Sequence, residues 1–432
     1  MLHVIGAGLA GLACAVEAVA AGLPVRLYEA APRAGGRCRS FHDATLDRVI
    51  DNGNHLLLGA NFAAFRYLDR VGARARLAGV EPPSVPFHDL ASGATWRVGA
   101  DRPALGRALA GRGVLVPGGT WRELARLWRL YRADTEASVA DALGPDGALY
   151  RSLWRPLAIA GLNTAPEEAS ARLLWPVVAR TLFGGSAACR PYVARDGLGP
   201  ALIDPAVEWL AVRGVRINCG ARASALDFAA GRLAAIAFGA ERVTLAPGDA
   251  AVLAVPPANA NALLPGLGAP EDTRAIVNTH FRLDRPAALP GGAPLLGLLG
   301  GEAEWLFLRG DVVSVTVSAA DALAARPAEE IAARLWRDVA RALGLSAAPQ
   351  PPARVIKEKR ATPAQTPGFA RARPGVATRW PNLFLAGDWT ATGLPATIEG
   401  AIASGQAATA RVVSTRDAGV ASGRGRTRKD TR

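Results

Sequence analysis

The chain opens with a short apolar run, Leu2-His3-Val4-Ile5, broken by glycine and followed by small apolar residues that predict a helix over residues 10–21. Gly22 and Pro24 end that helix, and Val25–Glu29 predicts a second strand. A strand, helix and strand within about 30 residues form a βαβ unit, and hence part of a parallel sheet. Residues 200–256 hold a further αβ stretch that ends in an apolar run before Pro256-Pro257. Residues 383–386 read as the last strand, followed by a helix from about Pro395 to Val412. Two segments of different character lie between these pieces. Residues 85–198 are helical in pattern and rich in tryptophan, whereas residues 275–318 alternate, as in 276–283 and Val312–Val317, which predicts antiparallel strands. An amphipathic helix over residues 328–343 follows, with Ile331, Leu335, Val339 and Leu343 on one face.

The expected fold class is α/β. A Rossmann-like nucleotide-binding domain is assembled from residues 1–84, 199–260 and 376–413. It is interrupted by a mixed α+β substrate domain: a helical insertion at 85–198, and a sheet with its helix at 261–375. Residues 414–432 are polar, carry six basic side chains against Asp417 and Asp430, and are expected to be disordered.

Composition changes this picture little. The chain has 432 residues, half of them hydrophobic, enough for a sizeable core. Among 50 basic residues only Lys357, Lys359 and Lys429 are lysine, so 47 are arginine; with abundant alanine, glycine and proline, most of that excess reflects genome composition. The net charge of +13 permits acidic partners. No zinc-finger spacing or aromatic RNA motif accompanies it, so nucleic acid is not expected. Cys14, Cys38, Cys189 and Cys219 lie far apart without C-x-x-C, against a disulfide framework or a metal site. No uninterrupted apolar stretch reaches the length of a membrane span, and the apolar start lacks a basic n-region. A cytoplasmic location follows as the expectation.

Gly6-Ala7-Gly8-Leu9-Ala10-Gly11 fits G-x-G-x-x-G after a strand and at the opening of a helix. The first glycine permits the tight turn, the second lets the backbone approach a pyrophosphate, and the third packs helix against strand. Glu29 ends the second strand, where a carboxylate accepts hydrogen bonds from ribose hydroxyls. Arg33-Ala34-Gly35-Gly36-Arg37 follows at once, a glycine pair between guanidinium groups suited to the second half of a long dinucleotide. Near the end, Asp388 follows a strand, in the crevice where such sheets bind ligands. Pro395 suits the first turn of a helix, which would leave the N–H groups of Ala396, Thr397 and Ile398 free to face a ligand carrying negative charge. A capping role for Asp388 is compatible with that reading.

These segments, with Asp51-Asn52-Gly53-Asn54-His55 and Ala386-Gly387-Asp388-Trp389-Thr390, resemble the amine oxidase and phytoene desaturase superfamily of FAD enzymes. Together with Leu162-Asn163-Thr164-Ala165-Pro166, they are most similar to its squalene-associated flavoproteins, the hydroxysqualene dehydroxylases of bacterial hopanoid synthesis. The resemblance spans roughly residues 1–412. It implies FAD bound by Gly6, Gly8, Leu9, Ala10, Gly11, Glu29, Ala30, Gly35, Gly36, Arg37, Gly53, Asn54, His55, Ala223, Gly387, Asp388, Pro395, Ala396, Thr397 and Ile398. It also implies a long isoprenoid substrate whose hydroxyl is replaced by hydrogen, with reduced flavin as the hydride source; the electron donor to the flavin is unassigned. His55 is the first candidate for the acid that protonates the leaving oxygen, with a cofactor- or backbone-bonding role as the alternative. Asn163, Trp175, Tyr192 and Trp389 are candidate pocket residues, and the stripe containing Leu173, Leu174, Val177, Val178 and Phe183 lines either a tunnel or the core.

Residues 121–132 place Trp121, Leu124, Trp128 and Tyr131 at helical spacing, with Arg122, Arg126, Arg129 and Arg132 elsewhere on the wheel. This suits a helix lying at the inner face of the cytoplasmic membrane, or one packed on its own domain. Within the superfamily, a carotenoid-type desaturase would need the same fold and tunnel with hydride moving the opposite way, and an amine oxidase is a more distant alternative. A prenyl-lipid escort without redox work need not keep Glu29, Gly35, Gly36, Arg37 and Asp388, all of which are present.

Overall fold

The computed structural model describes residues 1–99, 114–345 and 348–426. Five parallel strands form the sheet that anchors the site, in the order Ile217–Cys219, Val25–Glu29, Leu2–Ile5, Ala250–Leu253 and Leu383–Leu385. The two central strands are buried along their whole length, as strands covered on both faces must be. Helices Leu9–Ala20 and Ile398–Arg426 pack against each other beside this sheet, so closely that a Cβ on Gly405 would fall on the carbonyl oxygen of Ala10. A three-stranded antiparallel meander, Ala225–Ala229, Arg232–Phe238 and Glu241–Thr244, adjoins it elsewhere. Its Leu233 and Ile236 share a core with Ile5 and Leu253, and Phe238 stacks on Tyr28 at 4.5 Å.

A second sheet has seven strands, in the order Ala353–Pro363, Thr273–Arg282, Val312–Val317, Trp305–Arg309, Leu295–Leu299, Val85–Asp89 and Thr95–Val98. Every pair is antiparallel except Leu295–Leu299 with Val85–Asp89. Helix Ala328–Ala342 packs on it through Ile331, Leu335 and Val339, the face its periodicity predicts.

Four expectations need correction. The segment read as helical from residue 85 begins with two strands that complete the seven-stranded sheet, and Pro191–Ala194 near its end is a third strand, paired with Leu56–Leu58 and Leu77–Gly79. Val85–Asp89 and Thr95–Val98 form a local hairpin whose first strand joins the distant Leu295–Leu299, and Pro191–Ala194 finds both its partners far away in sequence. The αβ stretch over residues 200–256 also contains the antiparallel meander. Of the tail expected to be disordered over 414–432, the part to Arg426 continues the last helix, because extending a formed helix adds one hydrogen bond for each residue fixed; 427–432 lie outside the described residues. Residues 121–132 are two short helices, Trp121–Ala125 and Leu127–Tyr131, divided at Arg126, whose N–H bonds to Glu123 three residues back.

His280 is fully buried on the second sheet with Nδ1 2.7 Å from the Ser314 hydroxyl, a core histidine. Burial pushes its pKa down to about 4. The folded state therefore favours the neutral ring. That preference is complete above pH 6.5 and is lost as pH falls from 6.5 through 4, a loss of about 3 kcal/mol. Between pH 7.5 and 4, urea unfolding of the wild type should lose about that much more stability than unfolding of His280→Gln. Equal losses would show that the ring carries no such preference.

Candidate functional site

The glycine turn has the geometry of a phosphate cradle. Gly6 takes φ +106°, and a Cβ there would strike the carbonyl oxygen of Ala254. A Cβ on Gly11 would fall on the carbonyl oxygen of Gly6. A Cβ on Gly8 would meet nothing within 4 Å. The first and third glycines are thus required by the fold itself, and the second faces open space beside the helix start. The N–H groups of Leu9, Ala10 and Gly11 stand in the first helical turn, where no intrahelical acceptor exists. Gly35 bridges to Gly8 and donates its N–H to the Ala7 carbonyl at 2.8 Å, laying the arginine-flanked loop along the turn.

Glu29 accepts from the Ala7 N–H at 2.7 Å and the Ala31 N–H at 2.8 Å, which fixes its carboxylate at the partly exposed end of its strand. Ala30 is exposed beside it, and the segment leading to Ala223 is tied on by the bond from Ala221 N–H to the Glu29 carbonyl. Arg37 carries the line onward: its guanidinium pairs with the buried Asp388 at 2.8 Å and also lines a cavity of about 270 Å³. The conformation at Gly387 is φ +150°, and its N–H donates to Ser404 on the last helix.

The cavity is walled by Gly53, Asn54 and His55, by Pro395–Glu399, by Pro176, Val177, Arg180 and Thr181 on helix Ala171–Leu182, and by Trp305 and Phe307 on the second sheet. Asn163 also borders it, but its main work is structural. It ends helix Arg155–Leu162 in the left-handed conformation, accepts the Ala319 N–H at 2.6 Å and donates to Thr362 and the Arg274 carbonyl. Asp51 holds the loop before His55, accepting from Arg309 at 2.9 Å, the Leu198 N–H and the Ser40 hydroxyl. His55 is open to the cavity yet ringed by protein. Burial, and next the Arg37 charge, hold its pKa below the ordinary imidazole range, with Asp51 opposing.

Three expected pocket residues lie elsewhere. Trp389 is buried with its indole N–H on the Val255 carbonyl at 2.9 Å, Tyr192 packs edge-on against Phe65, and Trp175 sits between Tyr131 and Phe183. Of the apolar stripe, only Val177 borders the cavity; Leu173, Leu174 and Val178 are core. The final helix also starts later than expected. Thr397 caps it, accepting the Gly400 N–H through its hydroxyl, and the helix runs from Ile398. Pro395 precedes it, and Ala396 donates its N–H to Gln365 at 2.7 Å, so that group is not available to a ring.

Several contributors escaped the sequence reading. Arg373 is buried and donates to the carbonyls of Asp388, Thr390 and Leu394, pinning the segment that carries Asp388; burial lowers its pKa to about 10. Gln365 ties Ala396 to the Leu162 carbonyl. Asn278 accepts from the Asn54 N–H and from Thr316, setting a polar wall opposite the apolar one. Glu399 accepts the N–H groups of Ala63 and Ala64 and lies 3.7 Å from Arg180. Glu399 lay within the final helix the sequence had singled out, and Asn278 within the alternating stretch 276–283, where it was read only as part of a strand.

The model of flavin-containing amine oxidoreductases matches residues 9–413, which hold all of the site just described except Gly6, Ala7 and Gly8. The chain belongs to this family. It is a flavin-dependent oxidoreductase. Hydroxysqualene dehydroxylase of Rhodopseudomonas palustris is 46% identical over 94% of this chain and 97% of its own, and that of Sinorhizobium fredii is 43% identical with the same coverage. Zeta-carotene desaturase of Synechocystis aligns at 42% identity over only 17% of this chain and 15% of its own. Among solved structures, a putrescine oxidase triple mutant superposes with TM-score 0.71 at 18% identity, covering 96% of this chain and 98% of that one, a likeness of fold. Among the described residues, no cluster of side chains could hold a metal ion, and no helix is long and apolar enough to cross a membrane.

Proposed function

We propose that this protein binds FAD and reduces hydroxysqualene to squalene. The observation that supports the reading best is the unbroken line from the open face of Gly8 through Arg37 and Asp388 into the cavity at His55. That line offers in order what a dinucleotide with a ring at its far end would need: a helix N-terminus, a guanidinium paired to a carboxylate, and a cavity. The near identity in length and 46% identity to a hydroxysqualene dehydroxylase support the substrate.

The residues present fit FAD. The first turn after Gly8 would hold the diphosphate, Glu29 the adenosine ribose, and Asp388 the ribityl chain; Gly53–His55 and Thr397–Ile398 would border the ring. When bound and reduced, the flavin supplies a hydride equivalent. The allylic C–O bond breaks, a C–H bond forms, and oxygen leaves as water, taking one proton. We assign that proton to His55, a reading supported by its position on the cavity wall. Leu56, Leu58, Val85, Leu157 and Ile276 bring hydrocarbon to the same space and exclude water from a cation-like carbon.

Reduced holoprotein mixed anaerobically with hydroxysqualene should yield squalene, read by mass spectrometry. If no squalene forms while phytoene or another polyene is oxidised by the oxidised holoprotein, the desaturase reading replaces this one.

A further inference from the structure

We propose that an aromatic patch beside the cavity docks the protein on a bilayer leaflet containing anionic lipid, so that substrate enters from the membrane; the entry role rests on the isoprenoid reading above. Trp121, Trp128, Tyr131 and Phe183 are 51%, 61%, 55% and 67% exposed, and they account for most of the exposed large aromatics among the described residues. A soluble monomer rarely leaves such a group uncovered without a partner. Three of them form a continuous string through Trp175. Ring centroids lie 5.4 Å apart from Trp128 to Tyr131, 5.1 Å from Tyr131 to Trp175, and 6.0 Å from Trp175 to Phe183.

The string touches the cavity wall. Trp175 is followed on its helix by Pro176, Val177, Arg180 and Thr181, all of which border the cavity, and Phe183 lies two residues beyond. Phe62, 57% exposed, follows cavity-lining Ala60 and Asn61, and that loop is bonded to the segment after Phe183 through Gly59 N–H to Arg190 and Ala60 N–H to Ala188.

Charge selects the occupant. Arg122, Arg129 and Arg132 are exposed on, or directly after, the two short helices that carry Trp121, Trp128 and Tyr131, with the Arg132 guanidinium over Trp128 at 5.5 Å, on a chain of net charge +13. Indole and phenol rings on the same helices as guanidinium groups suit the headgroup level of a leaflet bearing negative charge. A second copy of this chain would set arginine against arginine.

The test is sedimentation of holoprotein with phosphatidylcholine vesicles, with and without about 30% phosphatidylglycerol. We expect several-fold greater binding to the anionic vesicles, weakened by salt, and about a tenfold loss in Trp128→Ser/Phe183→Ser, with flavin content and turnover of detergent-dispersed substrate unchanged. Equal sedimentation of variant and wild type would overturn the proposal, as would binding to neither vesicle. A concentration-dependent dimer that the double variant abolishes would overturn it in favour of self-association. Vesicle binding is read without turnover, so its failure is distinct from failure of the substrate assignment.

Discussion

Gly8→Asp should yield a protein that melts as the wild-type apoprotein does but is purified without flavin. The prediction follows from the contrast among the three glycines. Gly8 lies at φ −74° in extended conformation at the helix N-cap, with empty space where a side chain would project. Aspartate is among the best N-cap residues and complements the helix dipole, so the fold should be unharmed or slightly stabilised. The same carboxylate would occupy the path of the diphosphate and repel it. We expect FAD affinity to fall at least about 100-fold, equivalent to ~2.7 kcal/mol. Gly11→Val serves as the control in the other sense. Its side chain would meet the Gly6 backbone oxygen, so it should destabilise the apoprotein itself, by about 1–3 kcal/mol of overpacking. Titration of apoprotein with FAD, alongside thermal melts, reads both. Wild-type flavin affinity in Gly8→Asp would remove the cradle from the account.

His55→Gln should keep its flavin and lose turnover by about 10²-fold or more, the range for removal of a general acid. Glutamine preserves a hydrogen-bonding group of similar reach, so a purely cofactor-bonding role would survive the change. The pH profile separates the two roles further. Under the proposed mechanism the acid form of His55 is the active one, and burial together with Arg37 holds its pKa below 6.5. Single-turnover rate in the wild type should therefore decline as pH rises through a value under 6.5, and the glutamine variant should lack that limb. A glutamine variant with wild-type rate and profile would reassign the proton to another cavity residue.

How much of this was readable beforehand depends on the range of the interactions. The strand, glycine turn and helix at residues 2–20 are set by neighbours in sequence, and the structure places them within a residue or two of where the pattern does. Asp388 was legible for the same reason, because a short buried strand delivers it to the crevice. The strands Val85–Asp89 and Thr95–Val98 were not. Val85–Asp89 joins the edge of a sheet built from residues 273–363 through Leu295–Leu299, and Thr95–Val98 is added to it by folding back on Val85–Asp89. The meander at residues 225–244 is rich in alanine and alternates too weakly to be told from helix.

Within the site, identity was easier to read than direction. Trp175, Tyr192 and Trp389 are large enough to demand burial, but nothing in their spacing says which face of an element turns to the cavity. Ala396 was expected to offer a free N–H until Gln365, thirty-one residues earlier, proved to accept it. Arg373 was hidden for a compositional reason: in a chain with 47 arginines, one guanidinium pinning three carbonyls has no distinguishing signature.

The central claim is that two electrons leave bound FADH2 for the carbon that loses its hydroxyl. Anaerobic stopped-flow mixing of photoreduced holoprotein with hydroxysqualene, with flavin absorbance followed near 450 nm and product quantified from the same syringe, measures this directly. The account predicts one oxidised flavin for each squalene formed. Squalene formed while the flavin stays reduced, or flavin oxidised with no squalene, would contradict it.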